Sequence, residues 1–288
     1  MGQLQPNNYH WQKIINITPD SFSDGGDFFS SSEIHSAFIK SFHDGVRNFD
    51  FGAQSTAPTS LSIDHEVEIK RFTKFFIPFL QAPELPEMAS ECIFSFDTFR
   101  PKTLAYLIDV LADHNIRPKQ IFWNDVSGVV DHHSINFLSS VDNGMLVLCH
   151  NLCGERELSC NHFKLSYNVE SDDFLNALVG FFKERISNVP EELRSKVILD
   201  PCFGFSKNSS QNLYLLKNLN EFFLRLGLSN DRLIGISRKR FLRDYSGLDI
   251  SCCDELDALQ VKMLRQFLPK RDKCKYYIRS HRYPFGKK

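Results

Sequence analysis

Short apolar runs of strand length recur along the chain, near Lys13 to Ile17, Asn48 to Phe51, Cys92 to Phe96, Ile121 to Trp123, Met145 to Cys149, Val197 to Leu199, Leu233 to Gly235 and Lys275 to Ile278. Between them the period lengthens to that of amphipathic helices, over Glu33 to Val46, Asp64 to Leu80, Lys102 to Asn115, Ser134 to Ser140, Asp172 to Ser187, Gln211 to Leu226 and Asp254 to Leu268. Strands alternating with helices imply parallel βαβ units, and eight such strands imply a single α/β domain, a (β/α)8 TIM barrel spanning 1–288. Residues 1–12 read as an N-terminal extension and 282–288 as a short basic tail. SHRYPFGKK, the stretch after Arg279, is too short and too broken by Pro and Gly for a helix, so the eighth outer helix is expected to be missing or truncated. The stretch 81–87, with Pro83 and Pro86, reads as a loop.

Composition narrows this picture. At 288 residues, 42% hydrophobic and 24% charged, the chain suits one large globular domain rather than a disordered or collagen-like one. A net charge of −1 gives no general attraction to nucleic acid or acidic membranes, so any anion site is local. Twenty-seven Phe, many of them in RFTKFFIPFL and GFFKERI, are expected to pack helices against the sheet. Eight Cys without a charged-then-apolar leader suggest a reducing cytoplasm and free thiols. No run approaches the roughly 18 apolar residues of a membrane span.

In a barrel of this kind, chemistry gathers at the C-terminal ends of the strands. Asn16, Ser55 and Thr56, Asp97, Asn124, Asp200, Lys239 and Arg279 each end a predicted strand or lie just after it, and the fifth strand ends at Cys149 and His150. Most of these have a plainer reading too. Asp97 or Thr98 would serve as a helix N-cap, Asn124 with Asp125 as a turn before Gly128, and Asp200 as a turn before Pro201. Lys239 lies in a run with Arg238 and Arg240 that would suit a solvated face, and Arg279 opens a basic tail. Cys149, His150, Cys153, Cys160 and His162 form a metal-like cluster without a paired CxxC, and idle thiols and loop histidines read better than zinc. CFGFSK lacks the spacing of a nucleotide phosphate loop.

Seven segments, in order, carry a closer likeness: IINITPDSFSDGG from Ile14 to Gly26, DFGAQSTAPTS from Asp50, SFDT from Ser95, WNDVSG from Trp123, LDPCFGFSK from Leu199, SRK from Ser237 and RSH from Arg279. Together they resemble dihydropteroate synthase, over positions from about 14 to 281. The resemblance implies a transferase of folate biosynthesis that condenses a hydroxymethyl-dihydropterin pyrophosphate with p-aminobenzoate, and a sulfonamide target. It implies a pterin site of Asp97, Asn124, Asp200, Lys239 and Arg279, with Asp97, Lys239 and Arg279 nearest the chemistry. It further implies an aminobenzoate pocket of Thr56, Pro58, Phe205 and Ser237, phosphate contacts from Asn16, Arg279 and His281, Mg²⁺ on Asn16, and a homodimer in the cytoplasm.

The chain departs from the family's usual pattern at a few positions. Ala57 stands in place of a loop arginine that contacts pyrophosphate, Cys202 in place of a glycine, Cys149 in place of a methionine, and Arg282 in place of an acidic residue. Losing one charge-assisted phosphate contact costs about 1.5–3 kcal/mol. The alternative is therefore a pterin-binding homologue that lacks synthase activity and serves a regulatory or interaction role.

Overall fold

The computed structural model describes residues 8–17, 30–54, 62–269 and 273–283. Eight parallel strands, β1 (Tyr9–Asn16), β2 (Asn48–Gly52), β3 (Ile93–Asp97), β4 (Gln120–Asp125), β5 (Gly144–Cys149), β6 (Val197–Asp200), β7 (Arg232–Ile234) and β8 (Tyr276–Ser280), follow one another around a closed barrel. The seam closes where Tyr9 to Lys13 of β1 pair with Tyr276 to Ser280 of β8. The crossovers hold α1 (Ser31–His43), α2 (His65–Leu80), α3 (Leu85–Ser90), α4 (Pro101–Asp113), α5 (His132–Ser140), α6 (Ser171–Ser187), α7 (Ser209–Lys217), α8 (Leu219–Leu226), α9 (Arg240–Ser246) and α10 (Cys253–Phe267).

All eight predicted strands are present, and four local readings need correction. Residues 9–12 are not an extension: they form the first half of β1, because β8 requires a partner along its whole length. The 81–87 stretch is not all loop, since α3 starts there, with Pro86 in its first turn where a missing N–H costs nothing and Leu85 and Ala89 buried. The single helix read from Gln211 to Leu226 is two, α7 and α8, parted at Asn218. The cations after β7 lead into α9, whose Phe241 and Leu242 are buried. No helix follows β8 among the described residues, and 284–288 lie outside them.

The two faces of each strand have separate tasks. The helix-facing side carries Phe49, Phe51, Phe94 and Phe96, which interlock with Phe38 of α1 and Phe72, Phe76 and Phe79 of α2, all at most 1% exposed. Ring centroids there lie 4.4 Å apart for Phe38–Phe49 and 4.9 Å for Phe51–Phe76, within the range of favourable aromatic contact. This is where the chain's surplus of phenylalanine goes. The inward side is different: Ile93, Phe122, Val147, Ile198, Leu233 and Tyr277 form a separate apolar plug inside the barrel. Moving two residues along β3, β4, β6 and β8 from that plug reaches the polar side chains Ser95, Asn124, Asp200 and Arg279, and these belong to the site.

Candidate active site

Strand alternation decides which residues meet. On β3, Ile93 of the plug shares its face with Ser95 and Asp97; on β4, Phe122 shares its face with Asn124; on β6, Ile198 with Asp200; on β8, Tyr277 with Arg279. Register then sets them side by side, Asp50 beside Ser95, Gly52 beside Asp97, and Asp97 beside Asn124. Gly52 has no side chain for a reason: a Cβ there would lie 3.3 Å from that of Asp97 and crowd it.

The centre of this layer is an ion-pair clamp on Arg279. Its Nε donates to Asp50 Oδ2 at 2.5 Å and its Nη2 to Asp97 Oδ2. Asp50 is fully buried and its Oδ1 also accepts from Ser95 Oγ at 2.5 Å and Asn124 Nδ2 at 3.4 Å. Two carboxylates around one guanidinium hold it rigid and hold its proton more firmly, although burial alone would release it. Arg279 is therefore no part of a basic tail. Asp50 is a residue the sequence reading passed over; the available sign was a lone carboxylate in an otherwise apolar strand, NFDFG.

Asp97 caps no helix, since the N-cap of α4 is Arg100 without a side-chain bond, and Thr98 takes the Arg100 N–H. Burial raises the pKa of Asp97 while Arg279 pulls it back down. Asp125 makes the turn, accepting from Ser127 N at 3.0 Å, and is paired with buried Arg156. Asn124 instead faces Asp50, and its Oδ1 is a buried acceptor with no partner among the described residues. Asp200 does make a turn: its Oδ1 accepts from Cys202 N at 2.7 Å. Burial pushes Asp200 up to about 6.

Lys239 lies across Gly204, whose positive φ of 86° and missing side chain leave room for the alkyl chain, a built Cβ meeting Lys239 Cδ at 3.4 Å. Its ammonium is 5.2 Å from the Phe205 ring centroid. Burial, then Arg279, lowers it to about 8, while Asp200 and Asp97 oppose the shift. Its neighbours in the cationic run act elsewhere: Arg238 pairs with Asp257 of α10, and Arg240 is exposed beside Asp244.

Ser237 and His281 are assembled as a pair. His281 N donates to Ser237 Oγ at 3.3 Å, and Ser237 Oγ lies 2.9 Å from His281 Nδ1. Burial and the cations Arg238, Arg279, Lys13 and Lys239 keep the imidazole well below its ordinary pKa. Phe205 is buried and stacked on His162 at 3.7 Å. Asn16 ends β1 beside Gly52. Thr56 and Pro58, with Ala57 and residues 18–29, lie outside the described residues.

The expectation of free thiols fails at one pair. Register sets Cys149 beside Asp200, so the end of β5 meets the turn after β6, and Cys149 and Cys202 form a disulfide with a Cα–Cα separation of 5.5 Å. The other members of the cysteine and histidine group make separate contacts. His150 is packed against Phe181 and Phe182 and takes a bond from Lys207, while Cys160 accepts from Gln54. Among the described residues, only Cys149, Asp200 and Cys202 form a set of at least three possible metal ligands lying close together. No described helix is long and apolar enough to cross a membrane.

The family model described as pterin binding enzyme matches residues 12–265. Over 243 residues the chain is 30% identical to dihydropteroate synthase type-3 of Escherichia coli, covering 82% of each. It is 33% identical to a folate synthesis bifunctional protein of Arabidopsis thaliana, covering 81% of this chain and 46% of that protein, so it spans less than half of that relative. The structure of dihydropteroate synthase from Anaplasma phagocytophilum, with bound 6-hydroxymethylpterin-monophosphate, matches with a TM-score of 0.70 at 19% identity, over 96% of this chain and 94% of that one. The family match runs from the first strand of the barrel into α10, and the chain belongs to the pterin-binding enzyme family.

Proposed function

We propose that the protein is a dihydropteroate synthase, joining 6-hydroxymethyl-7,8-dihydropterin pyrophosphate to p-aminobenzoate with release of pyrophosphate. The observation that carries this reading is the convergence of Asp97, Asn124, Asp200, Lys239 and Arg279 at one barrel mouth, with the Asn124 acceptor still unsatisfied. A pterin edge presents adjacent amino and ring N–H donors and a carbonyl acceptor. Asp200, once ionised, accepts the donors, Asn124 Oδ1 accepts another, and the Lys239 ammonium donates to the carbonyl. The Arg279 plane, fixed by Asp50 and Asp97, suits a ring face and the adjoining phosphate.

The reaction breaks the bond between the pterin methylene carbon and the pyrophosphate oxygen and forms a carbon–nitrogen bond to the aniline, which then loses a proton. No side-chain nucleophile is needed, so the protein's share is positioning and charge stabilisation. Arg279 and His281 would face the leaving group. Asp97 would stabilise positive charge developing on the pterin. Phe205 and Ser237, with Thr56 and Pro58, would receive the aminobenzoate. Asn16 offers a neutral hard oxygen of the kind Mg²⁺ accepts, with substrate phosphate oxygens completing the shell. When bound, the ion would neutralise the departing pyrophosphate. A cytoplasmic homodimer is part of the same proposal.

The test is release of pyrophosphate by the purified protein, which should require both substrates together and should be competed by a sulfonamide against p-aminobenzoate. Running Ala57→Arg alongside reads the missing loop cation: a gain of about ten- to a hundredfold is expected from one added charge-assisted phosphate contact. Pterin binding without product in either protein would leave the binding-only reading in its place.

A further inference from the structure

The Cys149–Cys202 disulfide sits in the wall of the pterin site rather than in the scaffold. Cys149 is fully buried and Cys202 is 5% exposed, and their sulfurs belong to a small apolar cluster with Phe99, Val126 and Phe205, apart from the main core. Phe205 is the ring over which the Lys239 ammonium lies. On one side the bond is anchored to β5, on the other to the turn after β6, whose Cys202 N–H bonds the Asp200 carboxylate.

Cys202 is the centre of that turn. Its N–H orients the Asp200 carboxylate at 2.7 Å, and its carbonyl accepts from Lys207 Nζ at 3.1 Å and from Phe205 N at 3.1 Å. Its φ of 52° lies in the left-handed region that residues with a Cβ avoid. The covalent tie to β5 is one restraint on that conformation, beside the bonds its carbonyl takes from Phe205 N and Lys207 Nζ. Once the bond opens, two thiols occupy more room than a disulfide in a packed cluster, and the turn is free to relax toward an ordinary φ. Such a relaxation would draw the Cys202 N–H away from the Asp200 oxygen it bonds in the closed form.

We propose that the Cys149–Cys202 bond is a reversible thiol–disulfide modification site of the pterin pocket, whose closed form holds Asp200 ready for the ligand. The ligand named here rests on the proposed function. The co-reactant is a dithiol. Its thiolate attacks one sulfur, the Cys149–Cys202 bond breaks, and a mixed disulfide forms. The second thiol of the reagent resolves that intermediate, leaving two protein thiols and one reagent disulfide. Two electrons and two protons have passed to the protein. Cys160, packed against the same cluster, is not the internal attacker, because burial raises its pKa and keeps it a thiol.

The experiment uses the full chain, with 6-hydroxymethylpterin as the fluorescent probe. After mild oxidation and unfolding, alkylation should modify six of the eight cysteines and leave a peptide linked through Cys149 and Cys202; after dithiothreitol it should modify all eight. Reduction should weaken pterin binding about five- to tenfold, the worth of one well-placed hydrogen bond. The double variant Cys149→Ser, Cys202→Gly should ignore the reductant, glycine being suited to the positive φ, while Cys253→Ser on α10 should respond as wild type does. Eight reactive thiols in the oxidised protein, or pterin affinity unchanged by reduction, overturn this inference alone. Absence of pterin binding in both states overturns the proposed function, and this inference with it.

Discussion

Asp50 is the residue on which the rest of the site depends. It touches Arg279, Ser95 and Asn124 at once, and it lies below the mouth, where no ligand need reach it. Its contacts fix the Arg279 and Asn124 side chains in place. Asp50→Asn keeps the shape but removes the charge from a buried pair, which costs about 3 kcal/mol of stability when one partner is lost. Urea unfolding should show that loss, and kcat/KM should fall by at least about tenfold through misplacement of Arg279. A further expectation concerns pH. Asp200 must be ionised to accept from the pterin and Lys239 protonated to donate, so kcat/KM should rise through about pH 6 and fall above about pH 8. For the unliganded protein the sign is opposite on the acid side. Folded Asp200 keeps its proton to higher pH than unfolded Asp200, so its stabilising contribution is present in acid and is lost as pH rises through about 6. A shallow decline in melting temperature across that window, alongside rising activity, is the combined signature.

At the scale of elements, the strands are bifunctional: one face builds the aromatic outer core, the other the site. Phe38 is the clearest case on the outer side, touching Phe42, Phe49, Phe79 and Phe94 from a fully buried position on α1. Phe38→Ala should cost about 3–5 kcal/mol in equilibrium unfolding while leaving pterin affinity per folded molecule intact. Sequence periodicity made this arrangement legible, because Phe at alternate positions of NFDFG and IFSFD can face only the helices once the polar residues between them face inward. It misjudged α3 and α9 for a physical reason. Both are short, begin after Pro or a run of cations, and are stabilised by tertiary burial of two residues each rather than by local propensity.

On the scale of the whole molecule, eight strands in sequence order were readable from alternation alone, and the barrel's mouth from the polar residues that end them. Two features were not. The β1–β8 seam joins residues 267 positions apart, and nothing local in Tyr9 to Gln12 announces it. The disulfide joins Cys149 to Cys202, which are adjacent only because β5 and β6 are neighbours in the sheet. The same holds for the Asp50–Arg279 pair: each residue is visible in the sequence, but the contact belongs to the closed barrel.

The central claim is that this mouth is a pterin site built around Asp200, Asn124, Lys239 and the clamped Arg279. Titration of 6-hydroxymethylpterin into the wild type and into Asp200→Asn, at pH 7 and followed by ligand fluorescence, tests it most directly. The account predicts saturable binding at one site per chain by the wild type, weakened about tenfold or more in the variant, since a buried charged acceptor for two donors is lost. Equal affinity in the two proteins, or no saturable binding by the wild type, would contradict it.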